Sequence, residues 1–80
     1  MKTTAYFNFR LEQVDRHLIQ DSWILYVIAN PEATEIQPDG IIRHWAKISE
    51  ANDKHLRVVL LEDKQTVHNA FFDRNFGDKS

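Results

Sequence analysis

The stretch from His55 to Arg74, HLRVVLLEDKQTVHNAFFDR, is the part of the chain that most narrows the possible folds. It predicts a β-hairpin with strands over 55–61 and 66–73 and a tight polar turn over 62–65. The first strand is rich in Val and Leu, and the second is rich in β-branched and aromatic residues, which suits a packed, pleated surface. We therefore expect the rest of the chain to pack around this hairpin.

The register of the hairpin decides which side chains share a face. With Asp63-Lys64 at the centre of the turn, the predicted pairs are Leu61 with Thr66, Val59 with His68, and Arg57 with Ala70. Side chains alternate between the two faces of a strand. The predicted core face carries Leu56, Val58, Leu60, Val67, Asn69 and Phe71. The predicted outer face carries Arg57, Val59, Leu61, Thr66, His68, Ala70, Phe72 and Arg74.

The composition describes one small folded domain. The chain has 80 residues, 42% of them hydrophobic, with two glycines, two prolines and no cysteine. A disulfide framework, a thiolate metal site and a thiol nucleophile are thereby excluded. No apolar run approaches the ~20 residues of a membrane span, and the N-terminus lacks the apolar centre of a signal peptide. We expect a soluble, cytoplasmic protein without a membrane partner, made of a single domain, 1–80, with its core over 9–74 and a polar tail over 75–80.

Two helices are predicted before the sheet. Loose helical spacing of apolar residues predicts a short amphipathic helix over 9–17. Asp21 or Ser22 is a good N-cap for a second helix. That helix ends at Asn30-Pro31, because the residue before a proline is pushed out of the helical region. An unbroken helix over 9–30 is the alternative.

Two further strands precede the hairpin. Residues 33–37 are a short strand candidate, Pro38-Asp39-Gly40 predicts a turn, and residues 41–48 form the next strand. Residues 1–8 fit either a short strand or an irregular end. Two helices followed by four strands predict an α+β domain, in which the helices pack on one face of a four-stranded antiparallel sheet.

Cations concentrate on the face that the helices leave open. When strand 41–48 lies beside 55–61, its even positions join the core and its odd positions, including Arg43, Trp45 and Lys47, join the outer face. That face then carries four Lys/Arg, one His, two aromatic residues and no carboxylate, in a chain of net charge −2. The pattern favours a local anion site. An ordinary solvated sheet face would show similar residues.

The histidines suit proton transfer better than metal binding. His17, His44, His55 and His68 are scattered, and none has the i, i+4 partner of a helical zinc site. His44 is expected on the core side as a hydrogen-bonded structural residue. His68 is expected near Arg57, where a histidine can exchange protons near neutral pH. We expect neither a metal nor a cofactor.

A set of short motifs, taken in order, resembles a known group of proteins. The motifs are Arg16-His17-Leu18-Ile19, Asn30-Pro31, Asp39-Gly40, Arg43 with Trp45, Leu56-Arg57-Val58-Val59 and Phe71-Phe72-Asp73-Arg74. The chain resembles, over residues 9–74, a family of small bacterial proteins of uncharacterised role. That family looks similar to the barnase–EndoU–colicin–RelE-like group of metal-independent ribonucleases and toxins. The resemblance implies a RelE/barnase-like fold, with RNA bound on the open sheet face.

One departure from the family pattern affects the catalytic assignment. Related sequences often carry a histidine and an arginine one turn apart in the first helix, where this chain has Asn8 and Glu12. A catalytic histidine would then be His17 or His68. The predicted function is RNA binding of the toxin (toxin–antitoxin) type. The reaction considered for an enzyme of this type is RNA cleavage, with the ribose 2′-hydroxyl as the nucleophile.

The predicted roles follow from the outer face and the resemblance together. His68 or His17 transfers protons and Thr66 orients the substrate. The predicted nucleic-acid-binding residues are Arg43, Trp45, Lys47, Arg57 and Arg74, with Trp45 stacking on a base. The alternative is a non-catalytic interaction module, whose outer face binds a protein such as an antitoxin-like chain.

Overall fold

The computed structural model describes residues 1–11 and 19–76, with the backbone alone at 9–11. This part of the chain contains two helices and four strands: α1 (Ala5–Leu11), α2 (Asp21–Ala29), β1 (Ala33–Ile36), β2 (Ile42–Ile48), β3 (Lys54–Leu60) and β4 (Val67–Phe72). One 3₁₀ turn, Ser49–Ala51, joins β2 to β3. The strands form an antiparallel sheet in the order β1-β2-β3-β4. The predicted α+β class and its four-stranded antiparallel sheet are confirmed.

Helix α1 begins earlier than the predicted helix over 9–17. Thr4 precedes it, and its Oγ1 accepts the backbone N–H of Phe7 at 3.0 Å, the bond that an N-cap threonine makes. The ring of Phe7 is 1% exposed, so α1 contributes to the core ahead of residue 9. The C-terminal part of the predicted helix, 12–17, lies outside the described residues.

The chain before α1 runs alongside β4. Thr3 and Val67 form a parallel bridge. The N–H of Val67 donates to the carbonyl of Lys2 at 2.8 Å, and the N–H of Thr4 donates to the carbonyl of Val67 at 3.0 Å. These bonds fix the start of α1 against the outer edge of β4.

Helix α2 begins at Asp21 rather than continuing from the first helix. Gln20 is the N-cap, with extended backbone angles (φ −77°, ψ 144°), so the alternative of an unbroken helix over 9–30 is wrong. The assignment of the cap to Asp21 or Ser22 is also wrong, because Asp21 already lies in the first turn, where a carboxylate suits the helix dipole. The helix ends before Asn30-Pro31, as predicted.

Both helices contribute to a core on one face of the sheet. The buried residues that form it are Phe7, Ile19, Ile24, Val27, Ile42, Ala46, Ile48, Leu56, Val58, Leu60, Val67 and Ala70. Burial of such side chains stabilises a domain by about 1.5–3 kcal/mol for each large one. The even positions of β2 and β3 supply most of the sheet's share, as the alternation predicts, apart from His44, which is half-buried. The opposite face, called the open face below, carries the odd positions of these strands.

The pairing of β3 with β4 follows the predicted register near the turn and then shifts. The N–H of Leu61 donates to the carbonyl of Thr66 at 3.0 Å, as that register requires. After Val67 the chain contains a β-bulge at His68, so Val59 pairs with Asn69 instead of His68. Beyond the bulge every residue of β4 is displaced by one place.

This displacement exchanges the two faces of β4, because a one-residue slip turns each side chain to the opposite side. Ala70 is fully buried and Phe72 packs against the core, so their predicted place on the outer face is wrong. Asn69 and Phe71 pair with Val59 and Arg57 on the open face, so their predicted place in the core is wrong.

Candidate anion-binding cleft

A cleft of about 330 Å³ lies on the open face. Its walls come from α1, from the turn between β1 and β2, and from strands β2, β3 and β4. The lining residues are Tyr6, Gln37, Ile41, Arg43, Arg57, Val59, His68, Asn69 and Phe71. Two arginines, a histidine and two further aromatic rings therefore share one opening.

The sheet register brings the two arginines together. Arg43 pairs with Val59 across β2 and β3, and Arg57 pairs with Trp45. Arg43 and Arg57 are thus diagonal neighbours on the same face, a spacing that long side chains can bridge. Of the five predicted nucleic-acid-binding residues, Arg43 and Arg57 line the cleft.

Arg43 is held on the β1 side of the cleft. Its Nη1 lies 2.8 Å from Oε1 of Glu35, the residue opposite it in β1. The amide of Gln37 also faces the guanidinium, and the orientation with Oε1 toward Arg43 satisfies both groups. The ion pair is solvent-accessible, with side chains 32% and 55% exposed, so it contributes only about 0–1 kcal/mol to stability. An incoming anion can therefore replace Glu35 at little energetic cost.

Arg57 lies between two aromatic rings. Its guanidinium carbon is 5.3 Å from the centre of the Trp45 ring and 5.1 Å from the centre of the Phe71 ring, within the range of cation–π contacts. Nη1 lies 3.9 Å from Oδ2 of Asp73. The buried Nε has no hydrogen-bond partner among the described residues. The rings fix the direction of the guanidinium, and one long ion pair leaves it able to donate to a ligand.

Trp45 is covered rather than exposed. Only 9% of its surface is accessible. Its Nε1–H donates to Oδ2 of Asp73 at 3.0 Å. The ring of Phe76 stacks on the indole at a centroid distance of 5.2 Å and an interplanar angle of 15°. In this structure the predicted base-stacking surface is thus occupied by a residue of the chain itself.

His68 is positioned by the chain that leads into α1. Its Nδ1 lies 3.1 Å from Oγ1 of Thr4, and its ring stacks on Tyr6 at 4.9 Å. Oγ1 accepts the N–H of Phe7 and has a second lone pair, to which Nδ1–H of the imidazole can donate; a neutral ring then carries its free lone pair on Nε2. A protonated ring makes the same Nδ1–H bond. Both protonation states keep the same ring position, as a proton-transfer group requires.

The other predicted site residues lie apart from the cleft or outside the described residues. Thr66 belongs to the β3–β4 turn, where its Oγ1 donates to Asp63 at 2.5 Å. Bonds from Thr66 and Gln65 lower the pKa of Asp63 to about 2. Lys47 and Arg74 are exposed and do not line the cleft. His17 lies in the part of the chain that is not described.

The expectation of an open face without carboxylates is wrong. Glu35 and Asp73 lie beside the two arginines. Glu32 lies 3.4 Å from His55 and accepts the N–H of Lys47 at 2.8 Å. The bond from the Trp45 indole, with smaller contributions that include the charge of Arg57, lowers the pKa of Asp73. The Lys47 backbone bond and the nearby His55 lower the pKa of Glu32.

Four cleft residues were missed by the sequence interpretation. Tyr6 comes from α1, and Thr4, a residue type that favours the N-cap, is the signal that could have placed the start of that helix. Gln37 follows β1, whose faces the sequence interpretation left unassigned. Asn69 and Phe71 reach the cleft only through the β-bulge, for which the sequence shows no signal.

The chain matches no protein-family model, and neither a curated protein nor a solved structure matches it. The resemblance to the barnase–EndoU–colicin–RelE-like group therefore stays a prediction. Neither described helix is long and apolar enough to cross a membrane. Residues 1–11 and 19–76 contain no group of three or more His, Cys, Asp or Glu arranged to hold a metal ion.

Proposed function

We propose that this protein binds single-stranded RNA on its open face and seats a phosphate between Arg43 and Arg57. The observation that supports the proposal is that both arginines line the same cleft as the rings of Tyr6, His68 and Phe71. Guanidinium groups match phosphate oxygens in geometry and charge. Exposed aromatic rings provide surfaces on which unpaired bases stack.

The carboxylates of the open face limit the strength of this binding. A phosphate at Arg43 must displace Glu35, and a phosphate at Arg57 must share the guanidinium with Asp73. The net charge of −2 adds no long-range attraction. Binding is therefore weak and salt-sensitive, with a slope of about −0.7 in log K against log salt for each phosphate contact.

His68 gives the cleft a group that can support cleavage. In this reaction the ribose 2′-oxygen forms a bond to the adjacent phosphorus while the bond from phosphorus to the 5′-oxygen breaks. His68 takes the proton of the 2′-hydroxyl, and the leaving 5′-oxygen takes a proton from water or from the protonated His68. Arg43 and Arg57 stabilise the charge that develops on the phosphate oxygens. The products are a 2′,3′-cyclic phosphate and a 5′-hydroxyl.

The experiment is a titration of fluorescently labelled, mixed-sequence single-stranded RNA at about 50 and about 200 mM salt. Arg43→Ala and Arg57→Ala should each weaken binding and reduce its salt dependence. Arg74→Ala is the matched control, because this exposed arginine lies outside the cleft. Equal affinity for the wild type and for all three variants would remove the cleft from consideration.

A protein-interaction module is the second candidate function. The observation that favours it is the outer surface of α2, where Leu25 and Tyr26 are 51% and 50% exposed. Aromatic and large apolar side chains are common at the centres of protein interfaces. The partner of such a module would be an antitoxin-like protein. A toxin role fits the RNA-binding function instead. A folded wild-type protein that binds no RNA at low salt would favour the module.

A further inference from the structure

Phe76 lies on Trp45 in the geometry of a stacked base. The two rings are nearly parallel, at 15°, with centroids 5.2 Å apart. The Phe76 ring also lies against the ring of His55, at a centroid distance of 4.7 Å. Offset stacking of this kind contributes to the affinity of an aromatic ring for any flat π surface, including that of a nucleobase.

The backbone that carries Phe76 is attached by a local turn. The N–H of Phe76 donates to the carbonyl of Asp73 at 3.4 Å, and the N–H of Asn75 donates to Oδ1 of Asp73 at 3.0 Å. Trp45 itself belongs to β2, which is paired on both sides, with β1 and with β3. The sheet beneath the indole is therefore complete without Phe76, and the ring can leave without breaking a strand pair.

The covered indole adjoins the cleft. The guanidinium of Arg57 contacts the Trp45 ring on one side and the Phe71 ring on the other. Arg57 and Phe71 both line the cleft. A base stacked on Trp45 would thus contact the same indole that the guanidinium of Arg57 contacts.

We infer that Trp45 forms a nucleobase subsite next to the cleft, and that Phe76 closes this subsite by occupying the place of the base. The inference rests on the proposed RNA binding. Stacking by Phe76 and stacking by an RNA base on the same ring exclude each other. Loss of the phenylalanine ring removes this competition, and the affinity for single-stranded RNA rises by about two- to tenfold, the range expected for one aromatic stacking contact.

The test uses Trp45 as its own reporter. The sequence has two tryptophans, and Trp23→Phe leaves Trp45 as the single fluorescent indole. In that background Phe76→Ala should shift the emission to longer wavelength, increase quenching by acrylamide and strengthen RNA binding. Tyr26→Ala is the matched control, because it removes an aromatic ring that is 50% exposed on α2. It should change none of these three measurements.

Phe76→Leu replaces Phe76→Ala in the test if circular dichroism shows that the alanine variant is unfolded. Leucine keeps apolar cover over the sheet but cannot stack, so it should also raise RNA affinity.

The outcomes separate the two proposals. If Trp45 becomes accessible while RNA affinity stays constant or falls, and Arg57→Ala still weakens binding, the Trp45 subsite is refuted and the cleft proposal stands. If neither the wild type nor the Phe76 variants bind RNA at low salt, both proposals are refuted.

Discussion

Trp45 and Asp73 are joined by a hydrogen bond from the indole Nε1–H to Oδ2 at 3.0 Å, which ties β2 to the residue that follows β4. The same oxygen lies 3.9 Å from Nη1 of Arg57. The indole bond, the backbone N–H of Asn75 and the charge of Arg57 keep the pKa of Asp73 below its usual value of 3.8. The carboxylate therefore links protonation to the stability of the open face.

Asp73→Asn should destabilise the protein by about 1 kcal/mol at neutral pH, because a neutral amide replaces a charge-assisted acceptor. A carboxyl group whose pKa is lower in the folded state adds stability above its unfolded pKa, and this stability is lost as the pH falls through the folded pKa. The difference in free energy of unfolding between the wild type and the variant should thus narrow below pH ~4. Thermal unfolding followed across pH measures it, and a gap that stays constant would contradict the proposed linkage.

The β-bulge predicts opposite outcomes at two adjacent positions of β4. Ala70→Asp should unfold the domain, because it places an unpaired carboxylate in the core, at a cost of several kcal/mol in a total stability of about 5–15 kcal/mol. Asn69→Asp should stay folded, because this side chain faces the cleft and Asp keeps the oxygen that accepts the N–H of Ala70. Circular dichroism and urea titration distinguish the variants. The reverse result would indicate a hairpin without the bulge.

Gly40 limits what the β1–β2 turn can accept. Its φ is +92°, and a Cβ added there would lie 3.0 Å from the Cβ of Glu62. Gly40→Ala should lower the free energy of unfolding by more than about 1 kcal/mol, because alanine is strained at this φ. Glu62→Gly removes the facing Cβ. The Gly40→Ala/Glu62→Gly double variant should therefore regain the stability lost to the steric contact but not the stability lost to backbone strain. Urea unfolding measures both. A Gly40→Ala protein as stable as the wild type would contradict this turn geometry.

Cleavage should depend on His68 and persist in excess EDTA. His68→Ala is expected to reduce the rate by about 10²–10⁴-fold, as removal of one acid–base group usually does. His44→Ala is the matched control: this histidine is bonded to Thr34 at 2.8 Å on the far side of the sheet, and burial lowers its pKa. It should lower the melting temperature and leave the rate unchanged at temperatures where it stays folded.

The measurement is RNA incubated with protein and EDTA, with products examined for 2′,3′-cyclic phosphate ends. Equal rates for the wild type and His68→Ala would exclude His68 from the mechanism. Loss of cleavage on addition of EDTA would contradict the metal-independent reaction.

Alternation of side chains was enough to predict the faces of β2 and β3. These two strands pair with each other without interruption, so the period of two holds within each of them, and the placement of Arg43 and Arg57 on one face follows directly. The predicted register of the hairpin also holds as far as Val67. These features depend on local pattern alone, which is why they can be predicted from one sequence.

The rest of the site depends on contacts between distant parts of the chain. The segment VHNAFF has apolar residues in both parities, so either register of β4 satisfies the hydrophobic pattern. In the structure Thr3 pairs with Val67 and Thr4 is hydrogen-bonded to His68, so the chain before α1 contacts β4 at the bulge. Tyr6 enters the cleft only because α1 docks beside β4. The carboxylate of Asp73 reaches Trp45 through a turn that alternation does not describe.

The walls of the cleft are contributed by both ends of the chain, from Tyr6 in α1 to Phe71 in β4. Such a cavity exists only when the whole domain is folded, so occupancy and unfolding are thermodynamically coupled. A compound present at a hundred times its dissociation constant stabilises the folded state by about 2.7 kcal/mol. In a domain of this size that corresponds to a rise in melting temperature of roughly 10 °C or more. Thermal denaturation in the presence of mononucleotides, oligonucleotides and simple phosphates can therefore rank candidate ligands without an assay for the reaction.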